Sequence, residues 1–477
     1  MSDTAIRPKE PAPRLSSLFS RAHVFATLML GGGIALHAVE TYITATLMPS
    51  VVRDIGGLPL FAWATTLYVA ASVMGASFVA VRPEGVTLNH CYRLGAVLFG
   101  LGSLVCALAP AMEALLAGRA VQGLGAGLLV ALGYSFIRFV YPERLWSVAS
   151  TLYAAVWGVA TFLGPTVGGV FAAGSAWREA FALLVPICAL MAFAAPRLLP
   201  SGESERITTG APLAQILLLL GAVLALSFAG SVEAAALRAG LAGAAVLAVA
   251  AMVTIERHAK ARLLPAGTVS LSSPLARVYL IMLTVLVALA SDIYIPYFLQ
   301  ELHGVRPLVS GYIVALLALG WTASAFLVAG LSGRRANRAI LTGAGIEAVA
   351  TALLAVTLAR HNPSGGYGPV LAATALIFAM GFGVGLGWAH LVTHVLHLAP
   401  EGEKDKASAA ITTMQALGSA FGAALAGVVA NSAGLAAPGG VAGAETAAFW
   451  LYLLLSLPAL AALMLALRLP ETRGGTG

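Results

Sequence analysis

Apolar residues in this chain fall in long unbroken runs separated by short polar stretches, rather than in the alternating or striped patterns of elements buried on one face. A helix crossing the hydrocarbon core of a bilayer needs about twenty mostly apolar residues. The pattern predicts fourteen such spans, near 23–49, 60–81, 94–111, 113–137, 147–172, 179–198, 211–231, 238–255, 276–298, 309–331, 339–359, 368–392, 407–430 and 446–468. The polar break Pro200–Arg206 separates the first six from the next two, and the stretch Glu256–Arg262 separates those two from the last six. The expected fold class is an all-α membrane protein of fourteen transmembrane helices. Its parts would be a cytoplasmic N-terminal tail over 1–22, a six-helix bundle over 23–200, two inserted helices over 211–256 and a second six-helix bundle over 275–470.

Composition supports the membrane reading. Hydrophobic residues make up 59% of the chain and charged residues only 10%, against about a quarter charged in soluble domains. The net charge of +7 does not point to nucleic acid, because the basic residues sit in short loops between apolar runs. With the N-terminus placed in the cytoplasm, about 21 Lys and Arg fall inside and 5 outside (Arg53, Arg178, Arg238, Arg306 and Arg360), leaving Arg119 within a span. That asymmetry predicts an even number of spans with both termini cytoplasmic. The first apolar run is too long for a signal-peptide core and is expected to remain as the first span. Cys91, Cys106 and Cys188 form an odd set with no ligand spacing, so neither a disulfide framework nor a metal site is expected. A weak internal repeat, with short basic loops at 82–93 and 333–338, fits two halves flanking an insert. Many secondary transporters build a midplane site from such halves.

Charge inside a span costs roughly 2.5–3.5 kcal/mol on insertion scales, so such residues are functional candidates. Burial also disfavours the ionised carboxylate, which brings reversible protonation within reach of neutral pH. Glu40 shares one helical face with His37 and Thr44. This polar stripe suits a water-filled cavity, or a protonated acid bonding a neighbouring helix. Asp292 lies near Pro296, whose missing N–H frees a carbonyl and favours a bend or cavity, so coupling and wetted structural roles both stay open. Glu347 stands among small residues, where helix packing competes with a cavity role. Arg119, with Gln122 one turn on, can meet a carboxylate or brace helices. His390, His394 and His397 resemble metal spacing, yet no matching acid or thiol lies near. A titrating interfacial face is the better expectation there. Glycine runs at 123–127, 164–169 and 381–387 suit close helix packing and lack the strand–loop–helix setting of a nucleotide site.

Several segments together resemble the major facilitator superfamily, and within it the fourteen-helix drug:proton antiporters, over nearly the whole chain after the tail. Gly118-Arg119-Ala120-Val121-Gln122-Gly123-Leu124-Gly125 is similar to that family's fourth-helix motif, which implies a part for Arg119 in proton coupling. Gly158 with Leu163-Gly164-Pro165-Thr166-Val167-Gly168-Gly169 is similar to its fifth-helix antiporter motif, associated with export. Trp177-Arg178, the stretch Ala407–Thr413 with Gln415 and Gly418, and the two-helix insert also fit. Glu40 occupies the place of the family's first-helix acid. The loop Val81–His90 departs from the family's gating pattern, which puts those gating contacts in doubt.

The resemblance implies two bundles rocking around a central cavity, with Glu40, Arg119 and Asp292 in proton coupling. His37, Glu40, Thr44, Gln122, Asp292 and Glu347 would line the cavity, and Gly158, Gly164, Pro165, Gly168 and Gly169 would serve the conformational change. The expected activity is proton-coupled efflux of small amphipathic or cationic compounds by a monomer in a cell inner membrane. The alternative is an uncoupled facilitator or a proton-coupled importer of a small metabolite. No enzyme chemistry, cofactor, metal or nucleic-acid partner is expected, since the chain shows no nucleophile–base constellation or soluble domain.

Overall fold

The computed structural model describes residues 15–82, 85–174, 176–201, 212–270, 272–363 and 365–469. The predicted tail up to Arg14, Pro83 and Glu84 of the departing loop, and residues 202–211 with most of the polar break, lie outside them.

Hydrocarbon offers no partner to the backbone, so each apolar run must satisfy its own peptide groups as a helix. Among the described residues, fourteen helices are long and apolar enough to cross a membrane. In chain order they are α1 (Val24–Ile55), α2 (Trp63–Val81), α3 (Leu88–Ala107), α4 (Met112–Ser135), α5 (Trp146–Ala173), α6 (Trp177–Leu198), α7 (Leu213–Ser231), α8 (Ala235–His258), α9 (Pro274–His303), α10 (Pro307–Val328), α11 (Gly333–Thr357), α12 (Tyr367–Leu398), α13 (Lys404–Ser432) and α14 (Gly440–Ala466). The helices α1–α6 and α9–α14 pack as two halves, and α7 and α8 pack against each other beside them.

Several boundaries move from the sequence reading, for local reasons. The helix α3 begins at Leu88 rather than 94, because Thr87 caps it by accepting the His90 N–H. The same helix stops at Ala107, shortly before Pro110. The helix α11 begins at Gly333, so Arg334, Arg335 and Arg338 lie in its first turns instead of a loop. The helix α12 runs on to Leu398 and takes in all three of its late histidines. The span α9 is not continuous. It is α-helical to Leu289, tightens to a 3-10 turn over Ala290–Tyr294, and resumes over Ile295–His303. Pro296 has no N–H to offer the Asp292 carbonyl, which accepts from Ile295 instead.

Glycine sets how closely the helices cross. A Cβ at Gly123 would lie 2.3 Å from the Tyr68 carbonyl oxygen, and one at Gly127 would lie 1.9 Å from that of Ser72. The second half repeats the device: a Cβ at Gly381 would lie 1.9 Å from the Leu317 carbonyl oxygen, and one at Gly385 would lie 2.1 Å from that of Trp321. Two glycines four apart on α4 and on α12 thus dock against carbonyls four apart on α2 and on α10. The internal repeat hinted at by the loops is a repeat of helix crossings.

The core shows where the halves join. One apolar cluster contains Ile43, Leu47, Val51 and Phe61 of the first half together with Tyr294, Phe298, Ile313 and Leu451 of the second. All lie toward the end of the bundle that carries loops 56–62 and 304–306. Phe61 stacks on Tyr294 with ring centroids 4.9 Å apart and meets Tyr297 edge-on at 5.6 Å. Arg53 reaches across to Glu301 at 2.8 Å. Toward the other end the core parts into two clusters, one built wholly from residues 18–199 and the other from residues 219–466.

The connection from α8 to α9 is stapled by two carboxylates. Glu256, 2% exposed, accepts the N–H groups of Leu263 and Leu264 and the Gln215 amide of α7. Glu403, just before α13, accepts the Ala266 N–H at 2.6 Å and pairs with Arg262 at 2.6 Å.

Two outcomes follow from this packing. The Ala266 N–H, then the Lys406 and Arg262 charges, hold the Glu403 carboxyl below its ordinary value of 4.5. A carboxyl depressed by folding stabilises above its unfolded pKa, and that contribution is lost as pH falls through its folded value. The native protein should therefore melt above Glu403→Gln in detergent at neutral pH, with the gap closing once pH falls well below 4.5. Separately, Phe61→Ala removes the ring that plugs Tyr294 and Tyr297, a loss worth about 3–5 kcal/mol in a packed core. Spin labels at Pro59 and Arg306 should then report a longer mean distance than in the native protein.

Candidate functional site

Between α1 and α4 lies a sealed polar network. Its centre is an ion pair between the Arg119 guanidinium and the Glu40 carboxylate, with side chains 2% and 0% exposed. Thr44, one turn along α1, donates to the same Glu40 oxygen at 2.5 Å. Arg119 also donates to Gln122 Oε1 at 2.5 Å and, through Nε, to the Ala64 carbonyl at 3.1 Å. Its Cζ lies 4.0 Å from the Tyr68 ring centroid, a cation–π contact. Gln122 continues the chain to Ser103 Oγ at 2.9 Å, and Ser103 donates to the Phe99 carbonyl. Four helices thus converge on one charge pair. Ionised groups at this depth are tolerated only when paired and hydrogen-bonded. One atom breaks the rule: Glu40 Oε2 is buried without a hydrogen-bond partner.

The structure brings His37, Glu40, Thr44, Arg119 and Gln122 together, as the sequence spacing suggests. It adds Tyr68, Ser103 and the Ala64 carbonyl, for which the sequence carries no signal, because each is set by helix crossing rather than by spacing along one helix. His37 is half-buried, its Nδ1 2.7 Å from the Tyr68 hydroxyl and its ring edge-on to Trp157.

Asp292 sits in the 3-10 break of α9, half-buried, within electrostatic reach of the hydroxyls of Tyr42 on α1 and Tyr452 on α14. The buried hydroxyls of Tyr294 and Tyr452 lack a protein partner. A carboxyl and unsatisfied phenols therefore gather where the halves face each other.

Glu347 does not join this group. It is fully buried, with both oxygens unpartnered, on the face of α11 that packs against Gly383 of α12. Small residues at the α11–α12 crossing draw that face inward, the helix-packing setting that its small neighbours in the sequence suggest. The late histidines are drawn inward too. His390 and His394 are 5% and 1% exposed, because α12 continues past them and turns them into the packing beside Val328. Among the described residues, no group of three His, Cys, Asp or Glu side chains is placed to hold a metal.

The glycine–proline segment of α5 lies where the two halves cross. A Cβ at Gly164 would fall 2.3 Å from that of Tyr42, and one at Gly168 would fall 3.0 Å from that of Thr46. One at Gly169 would fall 2.5 Å from the Leu308 Cα of α10, and Pro165 packs against Gly311. Gly158 differs, being exposed, with open space on the side where a methyl group would project. At the end of α1, Asp54 accepts from the Trp177 indole at 3.1 Å and from Arg178 at 2.5 Å, which fixes the start of α6. In the departing loop, Arg82 folds back on the Val79 and Val86 carbonyls, and Asn89 caps the end of α6 at Ala195 and Leu199. These contacts all stay within the first half.

Comparison with known proteins agrees with this architecture. A family model described as Major Facilitator Superfamily matches residues 30–423. A probable multidrug-efflux transporter of Mycobacterium tuberculosis is 39% identical over 426 residues, covering 87% of this chain and 89% of the relative. A multidrug efflux pump of Staphylococcus aureus is 24% identical over 300 residues, covering 60% and 64%. Among solved structures, a D-xylose–proton symporter superposes with a TM-score of 0.64 at 16% identity, covering 95% of this chain and 99% of its own. A family match over most of the chain, on a fold of two six-helix halves and an inserted pair, makes this multi-pass membrane protein a transporter of the major facilitator superfamily.

Proposed function

We propose that this transporter is a proton-coupled efflux antiporter for small amphipathic or cationic compounds, with both termini in the cytoplasm of a bacterial inner membrane. The observation that carries the reading is the sealed Glu40–Arg119 pair next to the seam between the halves. Protonating Glu40 removes the charge that balances Arg119, so occupancy by a proton and the packing of α1 on α4 are linked. The excess of Lys and Arg in loops at the opposite end supports an orientation with loops 56–62 and 304–306 outside. The halves are then closed toward the outside with the ion pair formed, the arrangement expected after proton release inside and before cargo binds. Asp292, Tyr42 and Tyr452 offer a carboxyl and aromatic faces to a cationic or amphipathic cargo. The names of the relatives from Mycobacterium tuberculosis and Staphylococcus aureus support export of such compounds.

Inverted membrane vesicles holding an imposed pH gradient test the reading. Amphipathic cations such as ethidium should dissipate the gradient with native protein and leave it intact with Glu40→Gln. Equal ethidium flux in both would make Glu40 structural and the protein an uncoupled facilitator. The ion pair also has a stability signature. Arg119→Ala strands a buried carboxylate and should cost about 3–5 kcal/mol, read as a lower denaturation midpoint in detergent.

A further inference from the structure

A coupling carboxyl must exchange its proton with water, yet Glu40 is 0% exposed. Of the groups that touch it, Arg119 carries donors and no acceptor and so cannot relay a proton, and Thr44 is itself sealed at 2% exposure. The remaining neighbour is Tyr68, 1% exposed, whose hydroxyl interacts with both Glu40 and Thr41. That hydroxyl is also 2.7 Å from His37 Nδ1. His37 is the one member of this sequence that is not sealed, being half-buried, and its orientation is fixed twice. Its ring stacks on Tyr68 with centroids 5.6 Å apart at 12°, and stands edge-on to Trp157 at 5.5 Å. The unpartnered Glu40 Oε2 supplies an open acceptor at the inner end.

We propose that His37 and Tyr68 form a two-member proton wire between water and Glu40. This rests on the reading of Glu40 as the coupling acid and adds the route by which its proton travels. In the inward step a proton from water binds His37 Nε2 while the Nδ1 proton passes to the Tyr68 oxygen. The Tyr68 proton passes in turn to the Glu40 carboxylate. One O–H forms at Glu40 for each proton taken from water, and neither relay group keeps a net charge, which suits their place beside the Arg119 cation. Release runs the same hops in reverse. Tyr68 has a second task, since its ring lies under Arg119, so the wire and the ion pair share one side chain.

The test needs no cargo. Full-length protein in detergent is subjected to a rapid pH drop, and protonation of Glu40 is followed by the infrared carbonyl band that Glu40→Gln removes. His37→Ala and Tyr68→Phe should reach the native final amplitude about a hundredfold more slowly, the low end for loss of a positioned proton-transfer group. Added imidazole should restore the rate of His37→Ala and leave Tyr68→Phe slow, a rescue that a merely structural role does not give. Native rates in both variants overturn the wire, as does a slow His37→Ala that imidazole fails to speed. Should the native protein show no Glu40 band at any pH, the coupling role of Glu40 fails instead, and the two failures are told apart. Thermal melting of each variant confirms that the rates belong to folded protein, and Tyr68→Phe keeps the ring over Arg119.

Discussion

A guanidinium and a carboxylate held together inside a hydrocarbon-embedded bundle set the terms for what surrounds them. Neither charge is tolerable alone at that depth, and the pair is tolerable only because nearly every donor and acceptor has a partner. Thr44, Gln122, Ser103, the Ala64 carbonyl and the Tyr68 ring come from four helices, and each reaches the pair only if α1, α2, α3 and α4 cross at one particular register. The ion pair and the packing of the first half are therefore interdependent: neither survives without the other.

That register is enforced by the absence of side chains. Between helices in lipid there is no hydrophobic drive to association, so close van der Waals contact and small residues take its place. Gly123 and Gly127 let α4 lie directly on the α2 backbone and aim Arg119 at Glu40. The same geometry recurs at Gly381 and Gly385 on α12, where the Arg119 position has no charged counterpart, since Ile377 and Met380 occupy that stretch. Two halves built alike have diverged in chemistry: the first holds the ion pair, and the second holds the unsatisfied phenols and Asp292.

The fold was legible from the apolar runs because bilayer thickness imposes one length on every span. Boundaries shifted where capping or proline decided them, as at Thr87 and Pro296, and the loop count alone could not show a 3-10 break around Asp292. Within the site, the stripe His37–Glu40–Thr44 was readable because it lies on one helix with period 3.6. Tyr68 was not, since nothing on α2 distinguishes it until α4 is laid across. Glu347 and the histidines at 390 and 394 could not be placed from sequence for a related reason. A polar residue in an apolar run signals that something must satisfy or seal it, and only tertiary packing says which.

The two inserted helices are geared to the second half at both faces of the membrane. At one face Glu403 grips the α8–α9 connection through Arg262 and Ala266. At the other, Ser432 accepts from Arg238 of α8, and Asn431 donates to the Gly230 carbonyl of α7. Toward the first half α7 has Trp63 bonded to Ser231 and a small apolar patch around Ala70. The molecule is thus lopsided, with the inserted pair attached mainly to the second half, eight helices on that side against six on the other. The lipid around such a body meets eight helices on one side of the seam and six on the other.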